Sequence, residues 1–178
     1  THGRGIWIVD QLSALQGLTP AAIGSGAHLF PIDTAEQIRY TNLKAHTGDM
    51  LFRGENPPNG AIIDYWLASS ASEVALTVHD RSGTLVQTLS PARARGVNRV
   101  VWNLRHADRP VRGGFGDEDG TPRGGNLAGP YVVPGIYTVR LVSGGRTLEQ
   151  KVDVKDDPRI DALPADRKVW ADFQVQVA

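Results

Sequence analysis

At 178 residues, with 19 lysines and arginines balanced by 19 aspartates and glutamates, the chain has room for one domain with a full core plus ordered extensions, and no net field to gather nucleic acid or an anionic membrane. The absence of cysteine excludes disulfides, thiolate metal sites and cysteine nucleophiles. No apolar run approaches the roughly 20 residues needed to cross a bilayer, and the opening at Thr1, with neither a start methionine nor a signal-peptide pattern, reads as a soluble chain processed or cut from something longer.

The first predicted element is a short apolar strand, Ile6, Trp7, Ile8 and Val9, entered through Gly3 and Gly5. From Gln11 to about Asn59, Leu12, Leu15, Leu18, Leu29 and Phe30 are scattered among Gly, Pro, Ser and Thr without a sustained period, which predicts an irregular extended arm that wraps a surface or belongs to a partner. The breaker Asn56-Pro57-Pro58-Asn59-Gly60 then opens a run of short strands and turns. Strands are expected over 61–68, 73–80 (Val74, Leu76 and Val78 on one face), 84–89 and 96–105, the last apolar enough for a central strand with Trp102 as core anchor. A tight hairpin at Asp80-Arg81-Ser82-Gly83 joins the second and third. Residues 106–130, glycine-rich and charged, predict a long loop, and 136–142 with 147–154 predict a final hairpin across Ser143-Gly144-Gly145. Beyond Asp157-Pro158, a segment from Pro164 sets Val169, Phe173 and Val177 at i+4 steps with Trp170 beside them, the pattern of a short amphipathic helix.

About six strands over roughly 95 residues match an immunoglobulin-like sandwich. The expected fold is therefore all-β, an immunoglobulin or fibronectin-III-like β-sandwich with Greek-key wiring. Its parts would be an arm over 1–59, the sandwich over 60–155, and a linker and short helix over 156–178.

The octapeptide Thr1-His2-Gly3-Arg4-Gly5-Ile6-Trp7-Ile8 resembles the closing strand of the last blade in sortilin-like, BNR-repeat β-propellers of bacteria, often labelled glycosyl hydrolases or photosystem II stability factor-like proteins. The rest is similar to their C-terminal tail, through Asn56 to Ala61, Ile63-Asp64-Tyr65, Gly96 to Arg105, Gly129-Pro130, Pro134 to Val139 and Asp157-Pro158-Arg159. The tryptophan strand and the Pro-Gly-x-Tyr hairpin are also similar to the C-terminal domain of the flagellar hook-capping protein. The family's propeller would need several hundred residues before Thr1, and any glycosidase carboxylates would lie there, so the hydrolase label does not transfer.

Few constellations suggest chemistry. Asp117, Glu118 and Asp119 are the candidate calcium ligands, with hard oxygens beside Gly120, but the spacing departs from the EF-hand pattern and a solvated acidic loop is the preferred reading. The same acids are poorly placed as a glycosidase pair. His2, His28, His46, His79 and His106 are too dispersed for zinc spacing, no serine sits in a nucleophile elbow, and the glycine runs at 113–116 and 124–125 lack a phosphate cradle's strand, helix and lysine. Tyr65-Trp66 could stack on sugars, but strand alternation turns at most one of them outward.

The expected function is a noncatalytic interaction module without cofactor that docks on other protein subunits and stabilises an assembly. Its expected contact residues are Ile6, Trp7, Ile8, Leu29 and Phe30 in the arm and Arg112 and Phe115 in the long loop. Two alternatives accompany it: an accessory, glycan-binding domain of an exported propeller-type hydrolase, and an accessory subunit on the extracytoplasmic face of a membrane complex such as a photosynthetic one. All three readings put the chain in the periplasm or otherwise outside the cytoplasm.

Overall fold

The computed structural model describes residues 11–39, 58–110, 126–161 and 163–177. Strands dominate it, and all but one two-stranded ladder lie in two sheets. The first holds β1 (Ala27–Leu29), β3 (Ala61–Leu67) and β6 (Gly96–Trp102), with β3 in the middle and both pairings antiparallel. The second runs β2 (Ala35–Gln37), β10 (Arg146–Asp156), β9 (Gly135–Ser143), β4 (Val74–His79) and β5 (Leu85–Leu89). It is antiparallel except that β2 lies parallel to β10, Ala35 opposite Val154 and Gln37 opposite Asp156.

Alternation explains which side of each strand is buried. On β3 the odd residues Ala61, Ile63, Tyr65 and Leu67 point into the core, and on β4 the even residues Val74, Leu76 and Val78 do. Together with Trp102, Val139, Leu141, Val152 and Val154 they form one hydrophobic cluster to which both sheets contribute. Trp102 is fully buried, packs edge-to-face on Tyr137 at 5.3 Å and donates its indole N–H to the Arg105 carbonyl at 3.0 Å. The carbonyl of Trp102 also explains Gly60, whose φ is +142°: a Cβ there would sit 2.1 Å from that oxygen.

Three expectations need correction. Residues 11–39 are not an irregular arm. They carry α1 (Ser13–Gln16), α2 (Pro20–Gly24), β1 and β2, so the sheets begin well before Gly60. The strands are three residues each, too short to show a period, and their register comes from β3 and β10 far along the chain. The 96–105 strand is not central, because β6 is an edge of its sheet and its outward Val97 and Val101 are exposed. The 106–130 loop is closed near its base by a small ladder between β7 (Arg109–Pro110) and β8 (Asn126–Leu127).

One ion pair ties the N-terminal segment down. Asp64, buried on the outward side of β3, accepts from Arg99 Nε and Nη2 at 2.8 and 2.9 Å, and Arg99 Nη2 also donates to the Gln11 carbonyl at 3.2 Å. Phe30 N donates to the Asp64 carbonyl, and Trp66 Nε1 donates to the Ile23 carbonyl, so α1 and α2 are tethered to the outer side of β3.

Candidate functional site

The site begins where β10 ends. Asp157 is almost fully buried; its carboxylate accepts from Arg159 Nε at 2.8 Å and Nη2 at 2.5 Å, and from the Arg39 backbone N–H at 2.8 Å. The Arg159 side chain, and after it the backbone N–H groups of Arg39 and Arg159, hold the Asp157 carboxyl well below the usual carboxylate range. This knot fixes the residues after β2 against the residues after β10. Beside it Gln37, also buried, donates to the Val132 carbonyl at 2.6 Å. The guanidinium carbons of Arg39 and Arg105 lie 4.1 and 3.7 Å from the centre of the Tyr131 ring.

Arg105 reaches that ring from a strained turn. Leu104 is buried with φ +58°, a left-handed conformation that costs a branched side chain about 1–2 kcal/mol. The turn holds because Asn103 Oδ1 accepts from Arg105 N, Trp102 Nε1 binds the Arg105 carbonyl, and Val132 N binds the Leu104 carbonyl. Gly129 lets the two chains meet here, since a Cβ would lie 2.2 Å from the His106 carbonyl oxygen.

Onto this base docks α3 (Pro164–Val177), the helix expected from the sequence. Its orientation is opposite to that of an ordinary surface helix. The inward positions are Arg167, paired with Asp156 at 2.6 Å, and Ala171, which is buried. The apolar stripe faces out: Val169 is 69%, Trp170 56% and Phe173 52% exposed, with the last two rings stacked at 6.0 Å and Leu163 exposed near the helix start. An open groove of about 920 Å³ flanks the helix, lined among others by Asp80, His106, Tyr137, Lys168 and Asp172.

The polar groups of that groove are engaged structurally. Asp80 Oδ1 accepts from Ser82 N and Oγ and from Thr84 N, and the Ser82 side chain leads in holding the Asp80 carboxyl below its ordinary value. Tyr137 donates to the Val133 carbonyl at 2.6 Å; burial, and then the charge of Asp80, push its phenol up to about 12. Lys168 and Asp172 pair with each other at 2.6 Å.

Of the contact residues expected from the sequence, Leu29 and Phe30 are corrected: they are 3% and 1% exposed, Leu29 in the common core and Phe30 under Gly17 and edge-to-face with His28. A three-residue strand with its apolar residues turned inward leaves nothing of them to offer a partner. Ile6, Trp7, Ile8, Arg112 and Phe115, and the calcium candidates Asp117, Glu118 and Asp119, lie outside the described residues. Among the described residues no three His, Asp or Glu side chains gather to hold a metal, and no helix is long and apolar enough to cross a membrane. Tyr65 is buried with its hydroxyl on the Ala92 carbonyl, and Trp66 is half-buried, so the pair forms no stacking surface. The sequence reading missed α3 as a surface; the signal was its stripe of large apolar residues.

None of the family models, curated proteins or solved structures compared with the chain matches it.

Proposed function

We propose that this chain is a noncatalytic interaction module, an immunoglobulin-like sandwich that docks through α3 on another subunit of an assembly. The carrying observation is the outward apolar stripe of Leu163, Val169, Trp170 and Phe173 on a helix anchored from beneath by Arg167 and Ala171. Positions 169, 170 and 173 have the i, i+1 and i+4 spacing with which a helix fills an apolar groove, so the partner is a protein presenting such a groove.

The strand order supports the sandwich reading. A first strand split between the two sheets, with its second half parallel to the last strand, and a sheet ordered β10-β9-β4-β5 beside one holding β3 and β6, is compatible with the two-sheet arrangement of immunoglobulin domains. The resemblance to the C-terminal tail of BNR-repeat propellers belongs to the same proposal, as does a periplasmic setting.

The test is purification from the native source under mild detergent, with mass spectrometry of stoichiometric partners, for the natural chain and for Trp170→Asp with Phe173→Asp. A partner that travels with the natural chain and is lost from the variant, whose own melting temperature stays unchanged, supports the reading. A natural chain that travels alone, or a partner indifferent to both substitutions, overturns it. The glycan alternative has one supporting observation, the exposed Trp170 and Phe173 pair, and saturable glycan-array binding abolished by Trp170→Ala would select it instead.

A further inference from the structure

Beneath α3 lies a cavity of about 20 Å³, walled by Gln37, Arg39, Tyr131, Arg167, Ala171 and their neighbours. Three buried guanidinium nitrogens of its two arginines, Arg39 Nε and Arg167 Nε and Nη2, have no hydrogen-bond acceptor among the described residues. Asp156 Oδ2 is only 2.6 Å from Arg167 Nε, but it does not lie along the N–H direction, so it balances charge without accepting that hydrogen. Leaving buried donors of this kind unpaired is costly, and the cost is greater where the group is charged.

From this we infer that the cavity is a binding site for a monatomic anion, a halide, held between Arg39 and Arg167. Size points to it first: the space has room for one water-sized particle, which suits a single small ion. Hydrogen bonding selects it next. The buried side-chain nitrogens without a partner here, Arg39 Nε and Arg167 Nε and Nη2, are all donors, and a halide accepts from each of them. Charge points the same way. Arg39, Arg105 and Arg167 converge around Tyr131 and the cavity with Asp156 as their nearby carboxylate, because Asp157 is engaged by Arg159 and by the Arg39 backbone. The bound ion bridges Arg39, two residues past β2, to the inward side of α3 and so fastens the helix to the sheets.

Two measurements on the whole chain test this. Crystals grown in sodium bromide should show an anomalous peak within hydrogen-bonding reach of Arg39 Nε and Arg167 Nη2. At constant ionic strength, replacing sodium acetate by sodium chloride should raise Tm saturably, by about 2–4 °C, and the rise should vanish in Arg39→Met and in Arg167→Met. Inorganic phosphate should give no such rise. A water in place of the bromide peak, a peak seen only at molar bromide as an adventitious ion only, or equal chloride responses in natural and variant chains would overturn the site. A rise with phosphate larger than with chloride would overturn the size argument and with it the halide. The bromide crystal needs no variant, so it decides even if both arginine variants fail to fold.

Discussion

The sheets and α3 use the same residue types to opposite ends. In β3 and β4 every second residue is apolar and buried, and the residues between them are half-buried or exposed, as Ile62, Trp66 and Ala75 are, or meet a partner, as Asp64 meets Arg99. In α3 the apolar stripe meets solvent and an arginine does the docking. The difference teaches that amphipathic periodicity marks a face but does not say what covers it. A strand's face is settled by the neighbours it must hydrogen-bond, while a helix can be held by an ion pair and a small residue with its apolar side toward solvent.

Substitutions at the two regions should therefore behave differently. The largest effect is expected at the core: Trp102→Ala should cost about 3–5 kcal/mol in denaturant unfolding, through the cavity it leaves and the lost packing on Tyr137. Asp64→Ala should cost about 1–3 kcal/mol, since it removes two charge-assisted hydrogen bonds from Arg99 on a side chain that is largely buried. A smaller, pH-dependent loss is expected for Asp157→Asn. Because the folded-state pKa is depressed, the stabilisation is present above the unfolded carboxylate value of about 4 and disappears as pH falls through the folded value. Melting curves of the two proteins should thus be furthest apart near neutrality and begin to converge only as pH falls below about 4.

On α3 the expected changes are slight. Val169→Ser and Leu163→Ser should shift the stability of the isolated chain by no more than about 0.5 kcal/mol while raising its solubility, and Lys168→Ala should remove about 0.3–0.5 kcal/mol from an exposed i,i+4 pair. A large loss from either serine variant would mean that the stripe is packed, and the contrast between the regions would fall.

What the sequence made legible follows from range. The strands β3 to β6, β9 and β10 and both of their hairpins could be read because alternation and glycine turns are local signals. Trp102 could be read as the anchor from its place in an apolar strand. β1 and β2 could not. Ala27, Ala35 and Gln37 are small or polar residues turned inward, and Gln37 is acceptable there because a carbonyl 95 residues away takes its hydrogen bond. The position of α3 was legible from Pro164 and the spacing of 169, 173 and 177, but its orientation was not, because the partners of Arg167 and Ala171 come from β10 and from residues 131–134.

The parallel pairing of β2 with β10 has a mechanical consequence. If tension enters the chain ahead of β2 and leaves beyond β10, the two strands are drawn in opposite directions along their common axis, and the hydrogen bonds joining Ala35–Gln37 to Val154–Asp156 are loaded together in shear rather than peeled one at a time. The Asp157 carboxylate, gripping both Arg39 and Arg159 just past those strands, lies in the same line of force. A fold wired this way can carry a pull along β2 and β10 before its sheets separate.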